Sequence, residues 1–148
     1  MTLVDLHTHT NESDGWLTPA ELLDHAAKAG VELLSITDHD TIAGYRNLDL
    51  SSKQLPQLVA GVELSTQWRR TGIHILGLNV NLASDAIHTA TTYQRNARQL
   101  RGQQIAEGLA KIGVPDPLTG ALAIAQGGAI GRPHFARYMV ECGFVKDI

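Results

Sequence analysis

The chain has 148 residues, 43% of them hydrophobic, and a formal net charge of −3 at pH 7; that is enough for one core and too acidic overall for a general nucleic-acid coat. Cys142 is the only cysteine, which excludes a disulfide framework and a thiolate zinc site and makes a reducing cytoplasm the expected compartment. The start of the chain lacks a basic segment followed by an apolar one, and no stretch approaches the roughly 18 apolar residues of a membrane span.

Val4-Asp5-Leu6-His7 reads as a short strand. His7-Thr8-His9 then puts two imidazoles on one face, because strand side chains alternate, and such a pair suits a divalent transition metal. Ser13-Asp14-Gly15 adds a carboxylate in a glycine-bearing turn. Thr18-Pro19-Ala20-Glu21 has the form of a helix start, with Thr18 as N-cap, proline at the first helical position and Glu21 closing a capping box. Leu22, Leu23, Ala26, Ala27 and Ala29 supply its apolar stripe and Gly30 its stop. Val31 to Thr37 is short and nearly all apolar, as a strand buried on both faces of a parallel sheet would be. This βαβ unit empties into Asp38-His39-Asp40-Thr41, at the strand end where α/β proteins build active sites.

The stretch from Ala43 to Gln57 reads as a short helix around Gly44 to Asp49 and a turn at Pro56. Leu58 to Leu64 reads as another apolar strand carrying Glu63, and Arg69 to Gly72 as a tight connection into a strand from Ile73 to Leu78 that carries His74. Ser84 to Ile112, rich in Ala, Gln, Arg and Leu, predicts one long helix or two in series. Pro115 and Pro117 break it, and further helices are expected over Leu118–Gln126 and Pro133–Cys142. The division is an α/β part over residues 1–81 and a helical part over residues 82–148.

The candidate ligands are His7, His9, Asp14, His39, Glu63 and His74, with His134 less central. Most sit at or near expected strand ends, which converge on one face in a sheet wound by right-handed crossovers. They are too many for one tetrahedral zinc. A cluster of two or three ions is the better arithmetic, with Glu63 placed to bridge, and mixed imidazole and carboxylate ligation suits Mn, Zn or Fe(II).

Taken as an ordered set, Leu6-His7-Thr8-His9, Ser13-Asp14-Gly15, Thr37-Asp38-His39-Asp40, Gly61-Val62-Glu63 and the isolated His74 resemble the PHP (polymerase and histidinol phosphatase) family of metal-dependent phosphoesterases. Gly131-Arg132-Pro133-His134 is similar to the stand-alone bacterial members that hydrolyse nucleoside 3′,5′-bisphosphates and trim short RNA from its 5′ end. The resemblance implies a distorted (β/α)7 barrel with a trinuclear metal centre and a helical insertion after the fourth strand. It gives His7, His9 and Glu63 to one metal, Glu63 and His74 to a second, Asp14 and His39 to a third, and sets Arg132 and His134 against the substrate phosphate. In catalysis, Glu63 would bridge the ions and His134 could protonate the leaving group. Later family motifs, an Ala-His-Pro and a Gly-Ser-Asp-x-His, do not occur here. The expectation is therefore the N-terminal half of a barrel and a truncated insertion, which would oligomerise or need its other half.

The expected substrate is a small nucleotide or short oligonucleotide, with no membrane partner. An amidohydrolase-like enzyme acting on a C–N bond and a non-catalytic PHP module remain as alternatives. Asp38 is read as an acceptor for a metal-bound imidazole, Asp40 as a cap on the turn after His39, and Arg69 and Arg70 as a solvated turn. The Gln94–Gln104 face is expected to meet solvent or the absent half. His25 and His88 are read as ordinary helix residues.

Overall fold

A computed structural model describes residues 2–46, 48–49 and 55–147. Leu3–Thr8 forms β1, Val31–Ile36 β2 and Gln57–Leu58 β3, joined as a parallel sheet in the order β1-β2-β3. The expected first helix is α1, Pro19–Lys28, and both halves of its capping box are made, the Thr18 side chain accepting from Glu21 N–H and the Glu21 carboxylate from Thr18 N–H. Leu23 and Ala26 on its inner face pack with Leu34 of β2, so the apolar stripe of α1 is buried by the strand it precedes.

Beyond β2 the chain departs from the expected pattern. Among the described residues the short helix is a 3₁₀ turn at Ala43–Tyr45, and residues 47 and 50–54 of the stretch before Pro56 lie outside them. The apolar run from Leu58 divides at Val59–Ala60 into β3 and β4, Gly61–Trp68. Thr71–Leu78 is β5, and it pairs antiparallel with β4 in a hairpin. His74 is therefore in the middle of a strand, opposite Ser65, and reaches the centre from a strand face where a strand end was expected.

Among the described residues, one parallel bridge, between His39 and Glu63, joins the hairpin to the chain after β2. Glu63 N–H donates to the Asp38 carbonyl at 3.2 Å, and Asp40 N–H to the Glu63 carbonyl at 2.8 Å. Tyr45 stitches the same junction: its hydroxyl lies 2.5 Å from the Ile36 carbonyl and accepts the Gly61 N–H at 2.7 Å. Gly61 has no room for a side chain, since a Cβ there would meet Ser35 Oγ at 2.3 Å.

The long helix is unbroken, α2 at Asp85–Lys111, followed by α3 at Pro117–Ala125 and α4 at Arg132–Glu141. Ala106 of α2, Ala121 of α3, Ile130 in the connection ahead of α4 and Phe135 of α4 form a second core. Part of the Gln94–Gln104 face turns inward. Arg98 is 7% exposed, and Gln94 Nε2 donates to the Ser65 carbonyl of β4. Arg98 Nε donates to the Asp40 carboxylate at 2.5 Å and its Nη2 to Ser65 Oγ at 3.1 Å. Asp40, with φ of 58° and 1% exposure, is thus an internal counterion and not a turn cap.

Candidate metal centre

Glu63 is the third residue of β4, 4% exposed, and its two carboxylate oxygens face different imidazoles. Oε2 lies 2.8 Å from His7 Nε2, 3.2 Å from His9 Nε2 and 3.7 Å from His39 Nδ1, while Oε1 lies 2.8 Å from His74 Nδ1. Asp14 lies 3.8 Å from His9 Nδ1 by one oxygen and 3.7 Å from His39 Nε2 by the other. The six side chains named from sequence thus meet as three overlapping groups: His7, His9 and Glu63; His9, Asp14 and His39; and His39, Glu63 and His74. His9 and His39 each belong to two groups, where one had been expected.

The loop carrying Asp14 is fixed from three sides. The Asp38 carboxylate accepts from Thr10 N–H and Thr10 Oγ1, both at 2.6 Å, and from Ser13 Oγ at 2.7 Å. Among these bonds there is no imidazole, so Asp38 orients the loop that bears a ligand where it had been read as orienting a ligand directly. Gly15 folds back so closely that a Cβ would meet His9 O at 2.3 Å. From α4, Arg137 Nη2 donates to the Asp14 carbonyl at 2.7 Å, its guanidinium 3.7 Å from the Trp16 ring centroid.

Two of the donors have the protonation state that cation binding demands, a charged carboxylate at Glu63 and a neutral imidazole at His39. Burial pushes His39 below its ordinary value, against the pull of Asp14 and Glu63. Burial would raise Glu63, but the His7 hydrogen bond and the His39 and His9 rings outweigh it and hold the carboxyl low. His9 Nδ1 and His39 Nδ1 are buried without a hydrogen-bond partner among the described residues. Buried polar atoms normally have one, so unpaired lone-pair donors turned toward carboxylates fit divalent cations.

A cavity of about 190 Å³ opens beside the centre, lined by Asp14, His39 and His74 and by Arg98, Arg101 and Arg132. Burial and the neighbouring Arg98 and Arg132 charges push Arg101 below its ordinary value, and a guanidinium remains cationic under such pressure. The two residues assigned together at the start of α4 have different places. Arg132 faces this cavity. His134 is 2% exposed, its Nδ1 accepts the Gly131 N–H at 2.9 Å, and burial lowers its pKa, so the ring is neutral with its proton on Nε2. Arg101 was missed in the sequence, where it is one arginine of a polar helix face. Its offset of three residues from Arg98 was the available signal.

The sequence profile of the PHP domain matches residues 5–112. Among curated relatives, the protein named 5′-3′ exoribonuclease Rnm of Salmonella typhimurium is 46% identical over 144 residues, covering 95% of this chain and 49% of the relative. The protein named 3′,5′-nucleoside bisphosphate phosphatase of Chromobacterium violaceum is 36% identical over 151 residues, 100% of this chain and 53% of the relative. Two solved structures superpose closely. One, described as an amidohydrolase from Chromobacterium violaceum with bound sulfate and no metal, gives a TM-score of 0.89 at 36% identity over 97% of this chain and 51% of the other. The second, described as a metal-dependent phosphoesterase from Bifidobacterium adolescentis, gives 0.87 at 31% identity over 98% and 52%. The chain spans about half the length of the relatives it matches. With the profile match covering most of its length and the histidine and carboxylate side chains of its motifs gathered at one point, the chain belongs to the PHP domain family.

Proposed function

We propose that this chain carries the metal centre of a phosphoesterase that hydrolyses phosphate monoesters of nucleotides or of short RNA 5′ ends. One observation carries the reading: Glu63 divides its two oxygens between imidazoles of adjoining three-residue groups, beside a cavity walled by three arginines. The names of the relatives support the nucleotide class. The site residues are His7, His9, Asp14, His39, Glu63 and His74 for up to three divalent ions, drawn from Mn, Zn or Fe(II). Residues 1–81 would be the N-terminal half of a (β/α)7 barrel and residues 82–148 a helical insertion. The exposed Leu3, Val4, Ile73 and Ile75 support covering by a second half or a second copy. The reducing cytoplasm is the compartment we assign.

Such ions, when bound, offset phosphate charge and make a water acidic enough to attack phosphorus at neutral pH. The protein's own part is orientation and charge. Arg132 and Arg101 would grip the non-reacting phosphate oxygens by forked, charge-assisted bonds. Glu63 offers a carboxylate held ionised and His39 a neutral ring, with the Asp14 carboxylate beside them. His134, tied to the Gly131 N–H, would hold the start of α4 so that Arg132 faces the cavity. The proton donor to the leaving group is then better sought among groups on the cavity wall.

A panel of phosphate esters and amides, incubated with the full chain and added Mn, Zn or Fe(II), tests this. Phosphate release from a nucleoside 3′,5′-bisphosphate that Glu63→Gln abolishes is the expected result. Amide hydrolysis without phosphate release would transfer the site to C–N chemistry, and metal binding without either would make the chain a non-catalytic module.

A further inference from the structure

A second cavity, of about 160 Å³, lies along α2 outside the metal centre. Arg46 and Thr41 come from the segment after β2, and His88, Thr91 and Arg95 from α2. The helical residues are spaced three and four apart, hence on one face. Arg46 and Arg95 are exposed, and neither is paired with a carboxylate among the described residues. Among the described residues, Glu12 is the one lining carboxylate besides Asp40, whose charge Arg98 already answers.

The two cavities are consecutive chambers. Residues 127–129 line the first and residues 130–132 the second. The α2 stripe passes from Arg95 in the first to Arg98 and Arg101 in the second. Asp40 lines the first and its partner Arg98 the second, so their ion pair is the partition. Arg95 and Arg101 are separated along the helix axis by about 9 Å, a distance that phosphates of neighbouring nucleotides in one strand can bridge.

Resting on the phosphoesterase reading above, we infer that the chamber between Arg46 and Arg95 is a second anion subsite, which takes a phosphodiester of a single RNA strand whose 5′ end lies at the metal centre. Two guanidiniums from separate elements suit a phosphodiester, and the Thr41 hydroxyl, which accepts from Ala43 N–H and has a proton to donate, suits one of its oxygens. A mononucleotide would fill only the chamber at the ions.

Binding by the Mn-loaded full chain is compared for adenosine 3′,5′-bisphosphate and a short 5′-phosphorylated oligoribonucleotide, both as methylene-phosphonate analogues that the centre cannot hydrolyse. Arg46→Ala and Arg95→Ala are expected to weaken the oligonucleotide several-fold and to reduce its slope of log K against log salt by about 0.7 each, with the bisphosphate unchanged. Arg95→Lys should restore most of the loss, and Arg69→Ala, on the hairpin turn, should change neither ligand. Circular dichroism checks the fold, with Arg46→Gln and Arg95→Gln as second variants. Wild-type binding of the oligonucleotide that the variants leave intact overturns the subsite alone, as does an equal loss for both ligands. Wild-type chain that binds neither overturns the phosphoesterase reading and the subsite together.

Discussion

Asp40 accepts Arg98 Nε at 2.5 Å and ties the turn after β2 to the middle of α2. Both groups are almost wholly enclosed, at 1% and 7% exposure, so removing either strands the other away from water. Arg98→Ala is expected to cost on the order of 3–5 kcal/mol, read from chemical denaturation. The pair also fixes a pH dependence. Burial would raise the Asp40 carboxyl, but bonds from Ser65 and the Arg98 charge outweigh it and hold it below its ordinary 3.8. A depressed folded value means that the stabilisation is fully present above the unfolded value and is lost as pH falls through the folded one. The melting difference between wild type and Asp40→Asn should therefore hold from neutral pH down to 3.8 and close below it.

Glu63→Gln keeps the shape of the side chain and removes its charge, leaving an amide that cannot bind cations through both ends. The hydrogen bonds at its backbone, to Asp38 and Asp40, are untouched, so the fold should persist by circular dichroism. Metal bound per chain, measured by elemental analysis after dialysis, should fall most for the groups that share Glu63, His7-His9-Glu63 and His39-Glu63-His74. Unchanged stoichiometry would remove Glu63 from the centre.

Gly15→Ala is a test of the loop. The new methyl would meet His9 O at 2.3 Å, His9 C at 2.6 Å and Thr10 N at 2.8 Å, all main-chain atoms with no rotamer to escape into. The loop must shift, and Asp14 with it. Loss of metal affinity by titration calorimetry, with a smaller fall in melting temperature, is expected. An alanine variant that binds metal like wild type would show that the position of Asp14 is immaterial.

Tyr45→Phe deletes one oxygen that meets three main-chain groups, the Ile36 and Val59 carbonyls and the Gly61 N–H. Burial keeps this hydroxyl above its ordinary pKa, so it stays protonated and hydrogen-bonds through neutral pH. The variant should lose about 1–3 kcal/mol, the cost of unsatisfied buried groups, as a lower denaturant midpoint. Accelerated amide exchange at Gly61 would locate the damage.

The ligand set was legible because each motif has a local signature: His7 and His9 by strand alternation, Asp14 by its turn, His39 by the polar exit from an apolar strand. The same holds for α1, whose Thr18 and Glu21 are a reciprocal pair within four residues. What could not be read depends on partners distant in sequence. Nothing near Arg98 marks it as the counterion of Asp40, 58 residues away, and a helix of mixed polar residues such as α2 looks alike on every face until something packs against it. His74 was recognised, but not its strand direction, since antiparallel pairing follows from a turn at Arg69 with φ of 56°, a conformation that arginine seldom adopts. Asp38 was assigned a role in the centre, and only the loop folding over it shows which atoms it serves.

The lone ladder rung between His39 and Glu63 has a bearing on how such a centre can change. Two of its donors are held apart by main-chain pairing, a spacing common to every amino acid. Exchanging imidazole for carboxylate there would alter which cation is preferred without moving the scaffold, so the chemistry of this pocket can drift while its architecture stays still.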